Sequence, residues 1–393
     1  MEAPSSAITE VTKSTPKKIG IDLRCLPMDG SPGAGVAHAA REIVRALLDL
    51  PAPGIEWKLF LPKGAAWESE DPRCVRLPSS DGRSLRAALK SHPCDLLFVP
   101  SGAVAPGLSV PVVPWVHDIT IYAHPEWFAQ SFFRRMVTTR LFLRGLRRAA
   151  HICTVSKATA DKLEDFFQIG VDQLTVTSEG GDSVLAGLQS ETLHDAKQRA
   201  KIRVADRGVS HPFILLLGTL EPRKNIPLLI EAWLRARERF SRSVDLVIVG
   251  KDGWRLGPIH HAIRLGKQFA SSGQARIHRI SAESDDDRRD LLLAADLVVV
   301  PSLDEGFGLV ALEAMQASTA AVVSDMGGLP EVVGSSGAVL PARASQQWTE
   351  AMLHLMQDDA SRQHLAEQGK ARSQGMTWER SAQIVLNVLT DRA

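Results

Sequence analysis

Two short stretches carry the residue types that would hold an anionic ligand. The first is Gly218-Thr219-Leu-Glu221-Pro-Arg223-Lys224-Asn225, which follows the apolar run Leu215-Leu-Leu. A buried strand that ends in glycine, with a helix starting near Asn225, brings a strand end and a helix N-terminus together, the geometry of an anion site. Arg223 and Lys224 add two cationic donors, which suits a diphosphate; a solvated basic turn is the plainer alternative. The second stretch runs from Val300 through Asp304-Glu305-Gly306-Phe307-Gly308-Leu309 to Glu313. Gly306 and Gly308 leave backbone N–H groups exposed at a helix start. Glu305 lies in the turn and Glu313 in the helix behind it, so the two carboxylates can flank one ligand. A carboxylate pair by itself also suits glycoside hydrolysis, and a solvated Glu313 is the plainer alternative. The phosphate-type turns favour a nucleotide.

These turns need strands and helices to position them. Strand-like runs at Ile19–Leu23, Trp57–Leu61, Leu96–Val99, Val112–Val116, Ile152–Val155 and Leu174–Val176 alternate with helical patterns at Ala37–Leu50, Ser84–Ser91, Phe128–Ala149 and Lys157–Phe167. After a polar stretch the alternation restarts, with strands at Phe213–Leu217, Val244–Val249, Ala275–Ile280, Leu297–Val300 and Ala321–Val323. The helices between them are expected at Ile226–Phe240, Pro258–Ser271, Asp286–Ala295 and Val310–Ala317. Short buried strands alternating with helices imply parallel sheets covered on both faces. The fold class is therefore α/β, with two doubly wound, Rossmann-like domains and a ligand cleft between them. The expected division is a disordered leader over 1–17, a first domain over 18–184, a linker over 185–210, a second domain over 211–375 and a last helix over 376–393.

Composition bounds the function. The chain has 393 residues, long enough for two domains without disulfide or metal staples. Lys plus Arg is 46 and Asp plus Glu 45, which argues against nucleic-acid binding by bulk charge. Cys25, Cys74, Cys94 and Cys153 lie far apart, with no zinc or redox spacing. No apolar run reaches 18 residues, and the polar first 17 residues lack the apolar core of a secretory signal, so a cytoplasmic protein is expected.

Taken together, the two stretches resemble the family 4 glycosyltransferases, retaining enzymes of GT-B fold; Glu305 and Glu313 match that family's E-x7-E signature. Further segments agree in order: Gly33-Ala-Gly35 with its first glycine loop, Val116-His117-Asp118 with a strand end of the acceptor domain, and Thr154-Val-Ser156 with another. Val249-Gly250 and Ser324-Asp-Met-Gly-Gly328-Leu-Pro330-Glu331 resemble loops of the donor domain, and the likeness spans about residues 18 to 390. The resemblance implies roles. Arg223 and Lys224 would neutralise the donor diphosphate, beside Gly218 and Thr219. Glu305 and the amides of Gly306, Phe307, Gly308 and Leu309 would hold the donor sugar and its phosphate. Glu313 would bind the ribose hydroxyls, and Gly33 and Gly35 would let the first domain close over the diphosphate. His117 would sit near the sugar with catalytic standing, and Asp118 would join it on the acceptor side. The final helix would cross back onto the first domain. No cofactor and no metal are implied: a nucleotide sugar is the co-substrate, and a glycan or lipid-linked hydroxyl is the acceptor in polysaccharide or lipopolysaccharide assembly. The segments look most like bacterial mannosyltransferases, which favours GDP-mannose, with UDP-glucose or another hexose donor as the alternative. A nucleotide-sugar epimerase of the same architecture is the alternative of another class.

Four other features bear on function. Asp285-Asp286-Asp287 fits a metal motif on paper, but it precedes a helical run and reads as N-capping. Gly33-Ala-Gly35 lacks the third glycine of a dinucleotide fingerprint, which disfavours an NAD enzyme. His260 and His261 fall on an expected surface helix with no acidic or cysteine partner in view. The stretch Trp127–Ala150 contains Arg134, Arg135, Arg140, Arg144, Arg147 and Arg148 and no acid after Trp127. At helical spacing four of these arginines share a face, so the stretch offers an anionic membrane surface as a partner, against the plainer reading of a solvated basic face.

Overall fold

The computed structural model describes residues 16–31, 35–67, 71–129, 131–209, 212–270, 275–282 and 284–393. The first sheet has seven strands: β1 (Lys17–Asp22), β2 (Ile55–Pro62), β3 (Cys74–Leu77), β4 (Leu96–Val99), β5 (Val112–Val116), β6 (Ile152–Thr154) and β7 (Leu174–Val176). The second has six: β8 (Phe213–Leu217), β9 (Asp245–Val249), β10 (Ile277–Ile280), β11 (Leu297–Val300), β12 (Ala320–Ser324) and β13 (Ala338–Leu340). Their spatial orders are β3-β2-β1-β4-β5-β6-β7 and β10-β9-β8-β11-β12-β13. Every pairing is parallel; Ile19 registers with Trp57 and Leu96, and Leu215 with Val247 and Val298. Strand order reverses between β1 and β4 in one sheet and between β8 and β11 in the other. Such reversal points open a crevice at the carboxyl ends of the strands, where ligands bind in this class of sheet.

The strands form because both of their faces are covered. β4, β5, β9, β11 and β12 are buried at every residue, so their apolar runs lack polar alternation. Two short edge strands escape sequence reading: β3 has only four residues, with Arg76 exposed, and β13 has three. β1 begins at Lys17, the last residue of the stretch expected as a leader; residues 1–15 of that stretch lie outside the described residues.

The stretch expected to be a linker is instead mostly helix, over Ser183–Gly187 and Ser190–Asp206. Ala196, Ala200 and Val204 recur every fourth residue, and this narrow face is buried. Arg203 pairs with Asp290 of the second domain, and Lys197 donates to the Ser318 carbonyl at 2.6 Å. Burial pushes the Lys197 ammonium down to about 8. The last helix, Trp378–Arg392, is capped by Thr377 and packs against the helix Val36–Asp49 of the first domain. Lys17 also donates to the Thr390 carbonyl, 3.1 Å away.

Candidate active site

The two cations predicted to hold a diphosphate stand at the reversal point of the second sheet. β8 ends at Leu217, Gly218 follows with φ 141°, and a single 3-10 turn over Pro222–Lys224 presents both side chains. Asn225 closes that turn with φ 54°, and its amide donates to the carbonyls of Pro301 (3.1 Å) and Ala342 (2.8 Å). This ties the basic turn to the end of β11, where Glu305 waits.

Glu305 is the centre of the cluster. Its carboxylate accepts from the Lys224 ammonium at 2.6 Å and from the Ser302 hydroxyl at 2.8 Å, and it pairs with the Arg223 guanidinium. Arg223 is held in turn by Glu221 (2.7 Å) and donates to the Asp304 carbonyl (3.0 Å). Burial alone would raise the Glu305 carboxyl, but the charges of Arg223 and Lys224 outweigh it and hold the group down at about 2. Burial likewise opposes the Arg223 charge, and Glu305 and Glu221 more than offset it, so its proton is held more tightly than usual. Glu305 is a resident counterion shared by the two cations.

The backbone around Glu305 admits only glycine at two contacts. A Cβ on Gly327, where φ is 58°, would lie 1.9 Å from the Glu305 carbonyl, while the neighbouring Gly328 N–H donates to the same oxygen at 3.0 Å. A Cβ on Gly306 would lie 1.9 Å from the carbonyl oxygen of His117 in the other domain. Gly308, with φ 117°, opens the helix Leu309–Gln316. Phe307 is buried, Leu309 half-buried and Thr219 exposed at the mouth of the basic turn.

Glu313 stands one helix further in and is 1% exposed. It pairs with Arg288, which also lies 3.6 Å from Asp182 and 3.8 Å from Asp285. Burial raises the Glu313 carboxyl above its ordinary value in spite of Arg288. The two glutamates thus pair with different cations, Glu305 with Arg223 and Lys224 and Glu313 with Arg288.

The first domain meets this turn along the ends of β5 and β6. His117 sits at the end of β5 with Nδ1 2.8 Å from Glu179 and Nε2 2.8 Å from the Pro100 carbonyl. A carbonyl only accepts, so Nε2 carries a hydrogen, and Nδ1 faces a carboxylate. Burial disfavours the imidazolium, yet the Glu179 bond prevails and moves the ring's pKa up. Both ring nitrogens are thus engaged, and the His117 carbonyl lies against Gly306. Asp118 caps the next turn by accepting from the Thr120 N–H at 3.0 Å, and its charge also reaches Arg223.

Four further contacts close the cleft. Ser156 donates to the Gly306 carbonyl at 2.6 Å, Thr120 donates to Asp304 at 2.9 Å, and Lys162 pairs with Asp304. The Glu331 carboxylate accepts from the N–H groups of Lys157 (2.8 Å) and Ala158 (2.6 Å), which start a helix of the other domain. Sequence reasoning missed Glu179, Glu221, Arg288 and Asp304 as site residues, because their partners are far away in the chain or were given other roles.

Gly35 caps the helix Val36–Asp49 with φ 54°; Gly33 lies outside the described residues. The aspartate run is part of a helix start, with Ser284 and Asp287 forming a reciprocal capping box. His260 does have an acidic partner, Asp252 at 3.5 Å, brought to it by the fold. No group of three or more metal-binding side chains converges among the described residues.

The family profile described as "Glycosyl transferases group 1" matches residues 197–372. The chain is 28% identical over 271 residues to O-antigen chain mannosyltransferase B of Escherichia coli, covering 69% of this chain and 68% of that protein. It is 26% identical over 295 residues to the serotype-specific mannosyltransferase WbdA of Escherichia coli, covering 72% of this chain but only 34% of WbdA. Among solved structures, Anabaena HepE in complex with UDP and glucose superposes with a TM-score of 0.71 at 20% identity, covering 95% of this chain and 100% of that one.

Proposed function

The chain belongs to the family 4-like glycosyltransferases and has their GT-B fold, and from that premise we propose that it moves a hexose from a nucleoside-diphosphate donor to a hydroxyl of a glycan or lipid-linked acceptor, with retention. GDP-mannose is the donor this reading favours, supported by the mannosyltransferase names of its relatives; UDP-glucose is the alternative. The observation that carries the reading is the convergence of Arg223 and Lys224 on one buried glutamate at the reversal point of the second sheet.

The chemistry follows from that charge. The bond between the anomeric carbon and the phosphate oxygen breaks, and negative charge grows on the leaving diphosphate. Arg223, Lys224 and the turn amides from Gly306 to Leu309 stabilise it in a water-poor cleft, where fixed donors act far more strongly than in water. The acceptor hydroxyl attacks the same face as the leaving group departs, and its proton passes to a leaving phosphate oxygen. The two fixed cations take the part that a divalent metal would play. Glu313 with Arg288 holds the ribose, and Asp118 borders the acceptor.

The acceptor reaches the site past a basic helix. On Phe132–Arg147 the exposed apolar residues Phe133, Val137 and Leu141 share one face with Arg134, Arg140, Arg144 and Arg147. An apolar stripe set among arginines suits the headgroup region of an anionic bilayer, which supports a peripheral position on the inner membrane face. No helix among the described residues is long and apolar enough to cross a membrane.

The test is product analysis with GDP-mannose or UDP-glucose, with and without a lipid-linked glycan. Acceptor-dependent release of nucleoside diphosphate, with a new α-linked sugar, supports the transfer. An isomerised donor formed without acceptor would replace it with the epimerase. For the helix, the double variant Arg140→Glu, Arg144→Glu should lose co-sedimentation with phosphatidylglycerol vesicles; binding equal to wild type rules the helix out.

A further inference from the structure

A cavity of about 440 Å³ lies on the outer edge of the second sheet, between the helix Gly257–Ala270 and the edge strand β10. Asp252, His260, Ile263, Arg264, Lys267 and Arg279 line it; Arg223, Lys224 and Glu305 do not. Two elements supply most of this lining. Ile263, Arg264 and Lys267 follow His260 by three, four and seven residues, the spacing of one helix face. Arg279 shares a strand face with Ile277, and Ile277 and Ile263 belong to one buried cluster. The floor is therefore apolar and the walls are basic.

The charges of those walls do not cancel. Asp252 is the one carboxylate in the lining among the described residues, and it is already shared: Arg279 donates to it at 2.9 Å, and His260 lies 3.5 Å away. Arg264 lies against the His261 ring at 3.0 Å, and neither it nor Lys267 forms an ion pair among the described residues. Other exposed arginines of this domain do find carboxylates: Arg235 has Glu231 and Arg239 has Glu350. Arg264, Lys267 and Arg279 against Asp252 leave two positive charges uncompensated. They stand around a concavity, where low-dielectric walls concentrate the field. Asp252 is held in place by the loop after β9: the Leu220 N–H donates to the Lys251 carbonyl at 2.9 Å, and the Gly253 N–H donates to the Leu220 carbonyl at 3.0 Å. The lining is thus formed in advance of any ligand, which lowers the cost of binding.

We propose that this cavity binds a small organic phosphomonoester. Such a group carries a charge of about −1.5 to −2 near neutral pH, which matches the two uncompensated positive charges. The forks of Arg264 and Arg279 suit phosphate oxygens, and Lys267 adds a point charge. The cavity has the size of a small-molecule site, about 300–1,000 Å³, so inorganic phosphate would fill only a small part of it. Ile263 and the aliphatic stems of Arg264 and Lys267 offer the organic body an apolar floor. The inference goes beyond the donor reading and does not rest on it.

Calorimetry on the full chain tests it, with glucose 6-phosphate, glycerol 3-phosphate, glucose and sulfate as probes. At least one of the two phosphomonoesters should bind at one site per chain, more tightly than sulfate, and glucose should not bind. The double variant Arg264→Gln, Lys267→Gln should weaken that binding about 10-fold or more. Its melting temperature should match wild type, because both side chains are exposed. Lys224→Ala should bind the phosphomonoester as wild type does, which separates this site from the Arg223–Lys224 pair. Asp252→Asn removes the one repelling charge and releases Arg279, so it should tighten binding a few-fold, opposite in sign to the effect of a damaged fold. No binding of either phosphomonoester, or binding no tighter than that of sulfate, would overturn the inference. So would unchanged affinity in the double variant, or loss of binding in Lys224→Ala.

Discussion

At one end of the cleft Glu305 lies between two cations and is held at about 2; at the other, Glu313 faces one shared arginine and its carboxyl is pushed up. Both are buried on the same stretch of chain, so burial opposes ionisation in each. The number of charges turned towards each one decides the outcome. Glu305 stays ionised and keeps Arg223 and Lys224 poised for a diphosphate. Glu313 is desolvated, with a cation already shared with Asp182 and Asp285, which suits a group that exchanges hydrogen bonds with sugar hydroxyls. On the proposed reading, charge stabilisation of the reaction is concentrated at one end and recognition at the other.

The contrast is broken most severely at the cations. Lys224→Ala and Arg223→Ala should each lower kcat by about 100- to 1,000-fold with the fold intact by circular dichroism. Near-normal turnover in both would remove the diphosphate assignment.

Glu305→Gln should cost stability on the order of 3 kcal/mol near neutral pH, from a folded-state carboxyl well below its unfolded value. The sign follows from linkage. A depressed carboxyl stabilises above its unfolded pKa and loses that contribution as pH falls through its folded one. Urea titrations should therefore show the deficit of Glu305→Gln shrinking as pH is lowered from about 5 towards 2. A deficit independent of pH would contradict the ion cluster.

Glu313→Gln should behave differently. Its carboxyl is raised, so the stability tied to its protonated form is present below the unfolded pKa and lost as pH rises through the folded one. The glutamine variant at neutral pH should lose less stability than Glu305→Gln, while its donor KM rises about 10-fold with kcat nearly unchanged. A fall in kcat with KM unchanged would move Glu313 from recognition to chemistry. The smallest effect is expected at the domain contact: Glu331→Gln removes charge from two bonds to backbone N–H groups and should raise donor KM a few-fold, measured at constant acceptor.

The motif residues of the two ends and the residues that meet across the chain differ in how far they could be read from sequence. Arg223, Lys224, Glu305 and Glu313 were legible because short motifs place them at strand ends and a helix start, and those elements are announced by long buried runs such as Leu215–Leu217 and Leu297–Val300. Their partners were not. His117 meets Glu179 at a separation of 62 residues and Lys162 meets Asp304 at 142, contacts that only the assembled sheets create. The helix Ser190–Asp206 was hidden by its polar composition, since Ala196, Ala200 and Val204 are small and mark a narrow buried face.

The most direct measurement is the thermal melt of wild type and Lys224→Ala with GDP or UDP, in EDTA. A nucleoside diphosphate at about 100 times its dissociation constant adds roughly 2.7 kcal/mol, enough to move the melt by several degrees. Stabilisation of wild type by one of the two nucleotides, undiminished by EDTA and lost in Lys224→Ala, is the predicted result. No shift with either nucleotide, or the same shift in Lys224→Ala, would contradict the assignment of the Arg223–Lys224–Glu305 cluster to the donor diphosphate.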